Sequence, residues 1–180
     1  KGLFAHEVLV HGLRSINGAE KNELLKKGLP GYLSSEEGIA TLVEYSISGE
    51  VPQKIIDRYT DIALALGKVG GKKITRQELY NFVLSREKVR VLQGREVYRS
   101  EEELEKKCIQ HVVRIYRGTQ GNDYVGVFTK DCLYYEGFHA MLQYISTELE
   151  QGKDQDELYN FLMQGKFNPL NKTHVKFVKE

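Results

Sequence analysis

Two histidines and a glutamate in the segment Ala5-His6-Glu7-Val8-Leu9-Val10-His11 are the residues of this sequence best suited to chemistry. Imidazoles flanking a carboxylate among apolar residues (Leu3, Phe4, Val8, Leu9, Val10, Leu13, Ile16) are what a zinc hydrolase uses: neutral nitrogen ligands, and a base beside the water that the metal activates. The familiar motif is H-E-x-x-H, whereas this one is H-E-x-x-x-H. At ~100° per residue, positions five apart on an α-helix point about 140° away from each other. Sharing one ion therefore requires an i to i+5 bulge, a single-turn defect found mostly at functional sites, and the segment is read that way. The alternative leaves each histidine at a core edge, bonded to a carbonyl, with no common ion.

A catalytic zinc takes three protein ligands and keeps one position open, so a third ligand must come from elsewhere. Ser34-Ser35-Glu36-Glu37-Gly38-Ile39-Ala40 heads a helical pattern that continues through Leu42, Val43, Tyr45 and Ile47. Its adjacent carboxylates can divide the work, one on the metal and one holding a histidine N–H. A structural role competes for Glu37, because Ser34-x-x-Glu37 also has the form of a capping box.

In chain order, His6-Glu7-Val8-Leu9-Val10-His11, Asn17-Gly18, Gly28-Leu29 and Glu36-Glu37-Gly38-Ile39-Ala40 resemble the tyrosine carboxypeptidase domain family. Its animal members are microtubule-associated tyrosine carboxypeptidases; its bacterial members are flavohemoglobin expression-modulating QEGLA-motif proteins. Glu36-Glu37-Gly38-Ile39-Ala40 is similar to that motif with Glu for Gln and Ile for Leu. Arg114-Ile115-Tyr116-Arg117-Gly118 and Phe128-Thr129-Lys130-Asp131-x-x-Tyr134-x-x-Gly137 resemble the later blocks, so the resemblance runs from His6 to about Gly137. Dipeptidyl peptidase III is a more distant parallel, with the same six-residue motif followed by a Glu-Glu pair. That analogy makes Glu37 the metal ligand, with His6 and His11, and Glu36 the partner of a histidine.

The resemblance implies a Zn2+-dependent carboxypeptidase that removes a C-terminal residue, aromatic (Tyr or Phe), from a peptide or protein tail. Glu7 is then the general base. Capture of a terminal carboxylate needs a cation, best a guanidinium whose donors match two oxygens, and Arg114, Arg117 and Lys130 are the candidates. Tyr134, or alternatively His139, would donate to the oxyanion of the scissile carbonyl. The competing class is a catalytically inactive helical module that binds tails without cutting them. His111 and His174 read as structural, Asn17 as orienting a ligand or loop, and Arg14 as lining the cleft. Family domains extend upstream of the first helix, so the 180 residues are expected to be the C-terminal portion of a larger domain.

The elements that must position these residues are helical. The pattern predicts a first helix from Leu3 to Ile16 closed by Asn17-Gly18, a second from Ser35 to Ile47 closed by Gly49, and a third from Pro52 to about Lys68. Thr75-x-x-Glu78 opens a fourth with apolar positions Leu79, Phe82, Val83, Val89, Val91 and Leu92. Ser100-x-x-Glu103 opens a fifth, acidic at its start and basic at its end, which suits the helix dipole. A sixth spans Asp131 to Glu150, and Asp154-x-x-Glu157 caps a seventh to Gln164. Residues 125–128 are expected to form a short strand or an extended approach, and Thr173 to Val178, whose residues alternate, a strand if a partner edge exists. The fold class is mainly α, a single helical domain with at most one or two short strands.

Bulk properties agree with that reading. With 26 Lys+Arg against 25 Asp+Glu, the net charge of +1 argues against a general nucleic-acid or membrane-surface binder. No apolar run approaches ~20 residues, so no membrane span is expected and the chain is read as cytoplasmic. Cys108 and Cys132 have no C-x-x-C neighbour and read as reduced, buried thiols.

Overall fold

The computed structural model describes residues 2–119 and 126–180, and the chain divides into two compact units, Lys1–Ile56 with Cys132–Glu180, and Asp57–Asp131. Among the described residues there is no strand, in keeping with the mainly α class. The expectation for 125–128 falls partly outside the described residues; 126–128 are irregular, and the Phe128 N–H donates to the Ile115 carbonyl at 2.7 Å.

The first unit begins with a short α1 (Gly2–Phe4), a π-helix (Ala5–Gly12) and α2 (Leu13–Lys21), which follow one another without a break. The expected stop at Asn17-Gly18 does not occur. Gly18 stays helical because α3 (Glu23–Lys27) crosses it so closely that a Cβ there would lie 2.6 Å from the Leu25 backbone. The glycine permits an approach rather than a left-handed turn. Asn22 caps α3 instead, accepting from the Leu24 N–H.

Helix α4 (Leu33–Ser48) ends as expected on Gly49 in the left-handed conformation. Its start differs: Tyr32 precedes the first turn without a side-chain cap, so the Ser34-Glu37 capping box does not form and Glu37 points elsewhere. The chain passes into the second unit within α5 (Gln53–Ala65), at Asp57, continues there through α6 (Arg76–Leu92) and α7 (Glu101–Tyr116), and returns to the first with α8 (Cys132–Glu150), α9 (Gln155–Leu162) and α10 (Lys172–Lys179). α4 and α8 form the centre of the first unit. They touch backbone to backbone at Gly38 and Gly137, where a Cβ on Gly38 would fall 2.2 Å from the Gly137 carbonyl oxygen. Val10, Ile39, Ala40, Met141, Leu158, Leu162 and Met163 fill the core around that contact. On the helix carrying the histidines, Leu3, Phe4, Val8, Leu9 and Ile16 are exposed, so its apolar content is not a core stripe.

The tail is helical, not extended. Asn171 caps α10, and His174 and Val178, four apart, are its buried positions. An alternation over six residues is equally compatible with that spacing, and no strand edge lies among the described residues to select the extended form.

In the second unit, Thr75 and Glu78 form the expected capping box of α6, and Ser100 caps α7. The buried positions of α6 are Leu79, Val83 and Glu87, while Phe82, Val89, Val91 and Leu92 are exposed, which corrects the apolar face expected there. Fully buried Asp61 accepts two hydrogen bonds from Arg86 at 2.8 Å and one contact from His111 at 2.7 Å. Arg90 in turn bridges Asp57 and Glu87, and the Tyr98 hydroxyl donates to Glu87. His111 joins this network through its contact with Asp61. Cys108 and Cys132 are not joined in a disulfide; Cys108 is buried and Cys132 half-buried.

Candidate metal centre

The five-residue interval between His6 and His11 is accommodated by the π-helix, in which the Leu13 N–H reaches back to the Val8 carbonyl. The wider turn brings both rings to one side, with centroids 5.0 Å apart and planes 76° from parallel. Helix α4 then presents Glu37 to them. Its Oε2 lies 3.6 Å from His6 Nε2 and 3.6 Å from His11 Nε2. One ligand atom from each residue falls within 4.8 Å of the others, and among the described residues these three form the group able to hold a metal.

The fit to a metal can be tested on the atoms themselves. Glu37 Oε2 is buried without a hydrogen-bond partner, and so is His6 Nδ1. A buried carboxylate oxygen left unpaired between two imidazole nitrogens is costly unless a cation or proton sits there. Tetrahedral zinc with bonds of about 2.0–2.2 Å places neighbouring ligand atoms about 3.3–3.5 Å apart, close to the spacing found. The residues fit Zn2+.

Glu36 performs the other carboxylate role. Its Oε1 lies 2.9 Å from His11 Nδ1, and since an ionised carboxylate only accepts, His11 donates Nδ1–H and keeps Nε2 for Glu37 or a metal. Glu36 is buried and is neutralised by Arg14, which is itself wholly buried and donates to Glu36 Oε2 and, at 3.1 Å, to the Phe167 carbonyl. Arg14 therefore does not line a cleft; it is the counter-ion of the carboxylate that orients His11. Burial pulls its pKa down, opposed by the charge of Glu36. Asn17 holds the chain near Met163, donating to that carbonyl at 3.0 Å.

In the metal-free state the cluster behaves as a charge pair. The hydrogen bond to Glu36, then the nearby Glu37 carboxylate, raises His11 to about 9. Burial pushes Glu37 up, but His11 and His6 outweigh it and hold the carboxyl at about 2.

The family model described as Microtubule-associated tyrosine carboxypeptidase matches residues 1–67 and 93–178. The chain belongs to that family. No curated protein and no solved structure matches it significantly. Membership in the microtubule-associated tyrosine carboxypeptidase family implies carboxypeptidase activity in general, a peptide hydrolase acting on protein C-terminal tails. No helix among the described residues is long and apolar enough to cross a membrane.

The remaining predicted residues are placed as follows. Glu7 is exposed on the π-helix, next in the chain to His6. Tyr134 is half-buried in the first turn of α8 and His139 is exposed farther along it. Arg114, Arg117 and Lys130 belong to the second unit. Arg114 pairs with Asp131 through two nitrogens, Arg117 stacks over the Phe128 ring at 3.7 Å, and Lys130 is exposed. For Asp131, burial pushes the pKa up but the bond from Arg114 outweighs it, leaving the carboxyl below its ordinary value. Sequence reasoning missed the pairing of Arg14 with Glu36. Its one signal was spacing, since Arg14 follows His11 by three residues and so shares its side of the helix.

Proposed function

We propose that this chain is a zinc-dependent carboxypeptidase that removes a C-terminal aromatic residue, Tyr or Phe, from peptide or protein tails. The observation that carries the proposal is Glu37 Oε2, buried, without a hydrogen-bond partner and 3.6 Å from Nε2 of both histidines. Zn2+ held by His6, His11 and Glu37 would supply Lewis acidity and make water a usable nucleophile near neutral pH. Glu7 takes the proton of the attacking water on its carboxylate and delivers it to the nitrogen of the departing residue. Glu36 fixes the His11 tautomer, and Arg14 pairs with Glu36 and holds it in place for that task. Tyr134 donates its O–H to the developing oxyanion, and Arg114, Arg117 and Lys130 supply cations for tail carboxylates.

The test compares the protein with its Glu7→Gln variant on peptides ending in Tyr, Phe or Glu while bound metal is measured. About one zinc per chain is expected in both. Release of Tyr or Phe by the parent should fall ~10²–10⁴-fold in the variant. Turnover untouched by the substitution refutes the role of Glu7, and stoichiometric zinc with tail binding but no turnover by the parent favours a non-catalytic module.

A further inference from the structure

The two histidines of the cluster are treated alike on one side and differently on the other. Each presents Nε2 to Glu37 Oε2 at the same 3.6 Å. His11 Nδ1 has its carboxylate, Glu36, at 2.9 Å. His6 Nδ1 is buried and lacks a hydrogen bond, yet Glu44 Oε2 lies 3.4 Å from it. Only about half an ångström of closure separates that contact from an ordinary N–H···O bond. Glu44 belongs to α4 and follows Glu37 by seven residues, two turns, so both project from the same side of the helix. Its side chain is 13% exposed, well shielded from competing water. The chain also leaves it room, since a Cβ on Gly2 would meet Glu44 Cγ at 2.9 Å.

We propose that Glu44 is the positioning residue for His6: its carboxylate accepts Nδ1–H, fixes the ring and tautomer, and so aims Nε2 at the metal. This rests on the zinc reading above. Helix α4 then supplies the three carboxylates that face the two rings, Glu37 between the two Nε2 atoms and Glu36 and Glu44 behind the two Nδ1 atoms. Each ring is gripped from both ends. A ligand histidine without its outer carboxylate rotates more freely and is less basic, and loss of such a partner typically weakens metal binding 10–100-fold.

The experiment measures zinc affinity of the intact chain by competition with a chromophoric chelator, for the parent, Glu44→Ala, Glu44→Gln and, as a control, His6→Ala. The tautomer of His6 is read in parallel by long-range 15N–1H NMR on the zinc-free protein. Glu44→Ala should raise the zinc dissociation constant 10–100-fold and abolish the preference for Nδ1–H at His6. Glu44→Gln, whose amide oxygen still accepts but carries no charge, should fall between parent and alanine variant. Affinity within twofold of the parent and an unchanged tautomer in the alanine variant, with His6→Ala strongly weakened, overturn the role of Glu44 and leave the metal centre standing. A parent that binds no zinc overturns both. Should the alanine variant fail to fold, the isosteric Gln variant decides: an unchanged zinc affinity and tautomer there refute the inference.

Discussion

Replacing Gly137 with Ala sets two effects of opposite sign against each other. Gly137 is a helical residue of α8, where alanine is favoured over glycine by up to about 1 kcal/mol. In this fold, however, the new Cβ would lie 2.1 Å from the Ser34 carbonyl oxygen, and such contacts normally begin at 3.0–3.4 Å. The obstacle is backbone, which cannot swing aside, so α8 must retreat from α4 by about 1 Å. A gap of that size forfeits a quarter to a half of the dispersion attraction between facing atoms, here the buried Ile39, Ala40 and Met141. Overpacking of this kind costs about 1–3 kcal/mol, occasionally more. The net expectation, once the propensity gain is subtracted, is a loss of about 0–2 kcal/mol, or up to roughly 1 M in the urea midpoint for an m-value of about 2 kcal/mol/M. Urea unfolding of the zinc-free protein followed by far-UV circular dichroism measures it. A midpoint raised by the substitution, as helix propensity alone requires, would refute the close backbone contact and with it the placement of α4.

Two further outcomes follow from the charges of the centre. In the zinc-free protein His11 is raised from 6.5 to about 9, so its stabilising contribution is complete below pH 6.5 and disappears as pH rises through 9; Glu37 is lowered from 4.5 to about 2, so its contribution is complete above pH 4.5 and disappears as pH falls through 2. Unfolding free energies from urea titrations should therefore be flat between pH 4.5 and 6.5 and decline above that window by about 1–2 kcal/mol, discounted for partial exposure, and His11→Ala should remove the alkaline decline. Arg14→Met keeps the bulk but leaves buried Glu36 without its counter-ion, and should destabilise the fold by about 3–5 kcal/mol in the same assay at pH 7. A loss below about 1 kcal/mol there would mean that Arg14 is not the partner of Glu36.

Much of the secondary structure was legible because capping is local. Thr75 with Glu78, Ser100 with Glu103 and Asp154 with Glu157 each satisfy backbone donors within one turn, and all three act as read. At Ser34 the competing capping-box reading does not hold, because the helix starts at Leu33 and leaves Ser34 inside its first turn. Local logic misled at Gly18, whose role is set by the Leu25 backbone across a turn. The tail was misread because two-residue and four-residue periods coincide over so short a stretch, and Asn171 decides between them.

For the centre itself, the sequence set the ligand types on offer and the geometric problem. H-E-x-x-x-H demands an i to i+5 turn if one ion is to be shared, and the Glu-Glu pair offers one carboxylate for the ion and one for a ring. Those statements depend only on residue type and on the pitch of a helix. Tertiary structure decided which carboxylate does what. It placed Glu37 between the two Nε2 atoms, set Glu36 behind His11, brought Glu44 within reach of His6, and buried Arg14 against the Phe167 carbonyl, 153 residues away. None of these follows from local pattern, because each depends on two helices meeting in one orientation, which the whole core fixes.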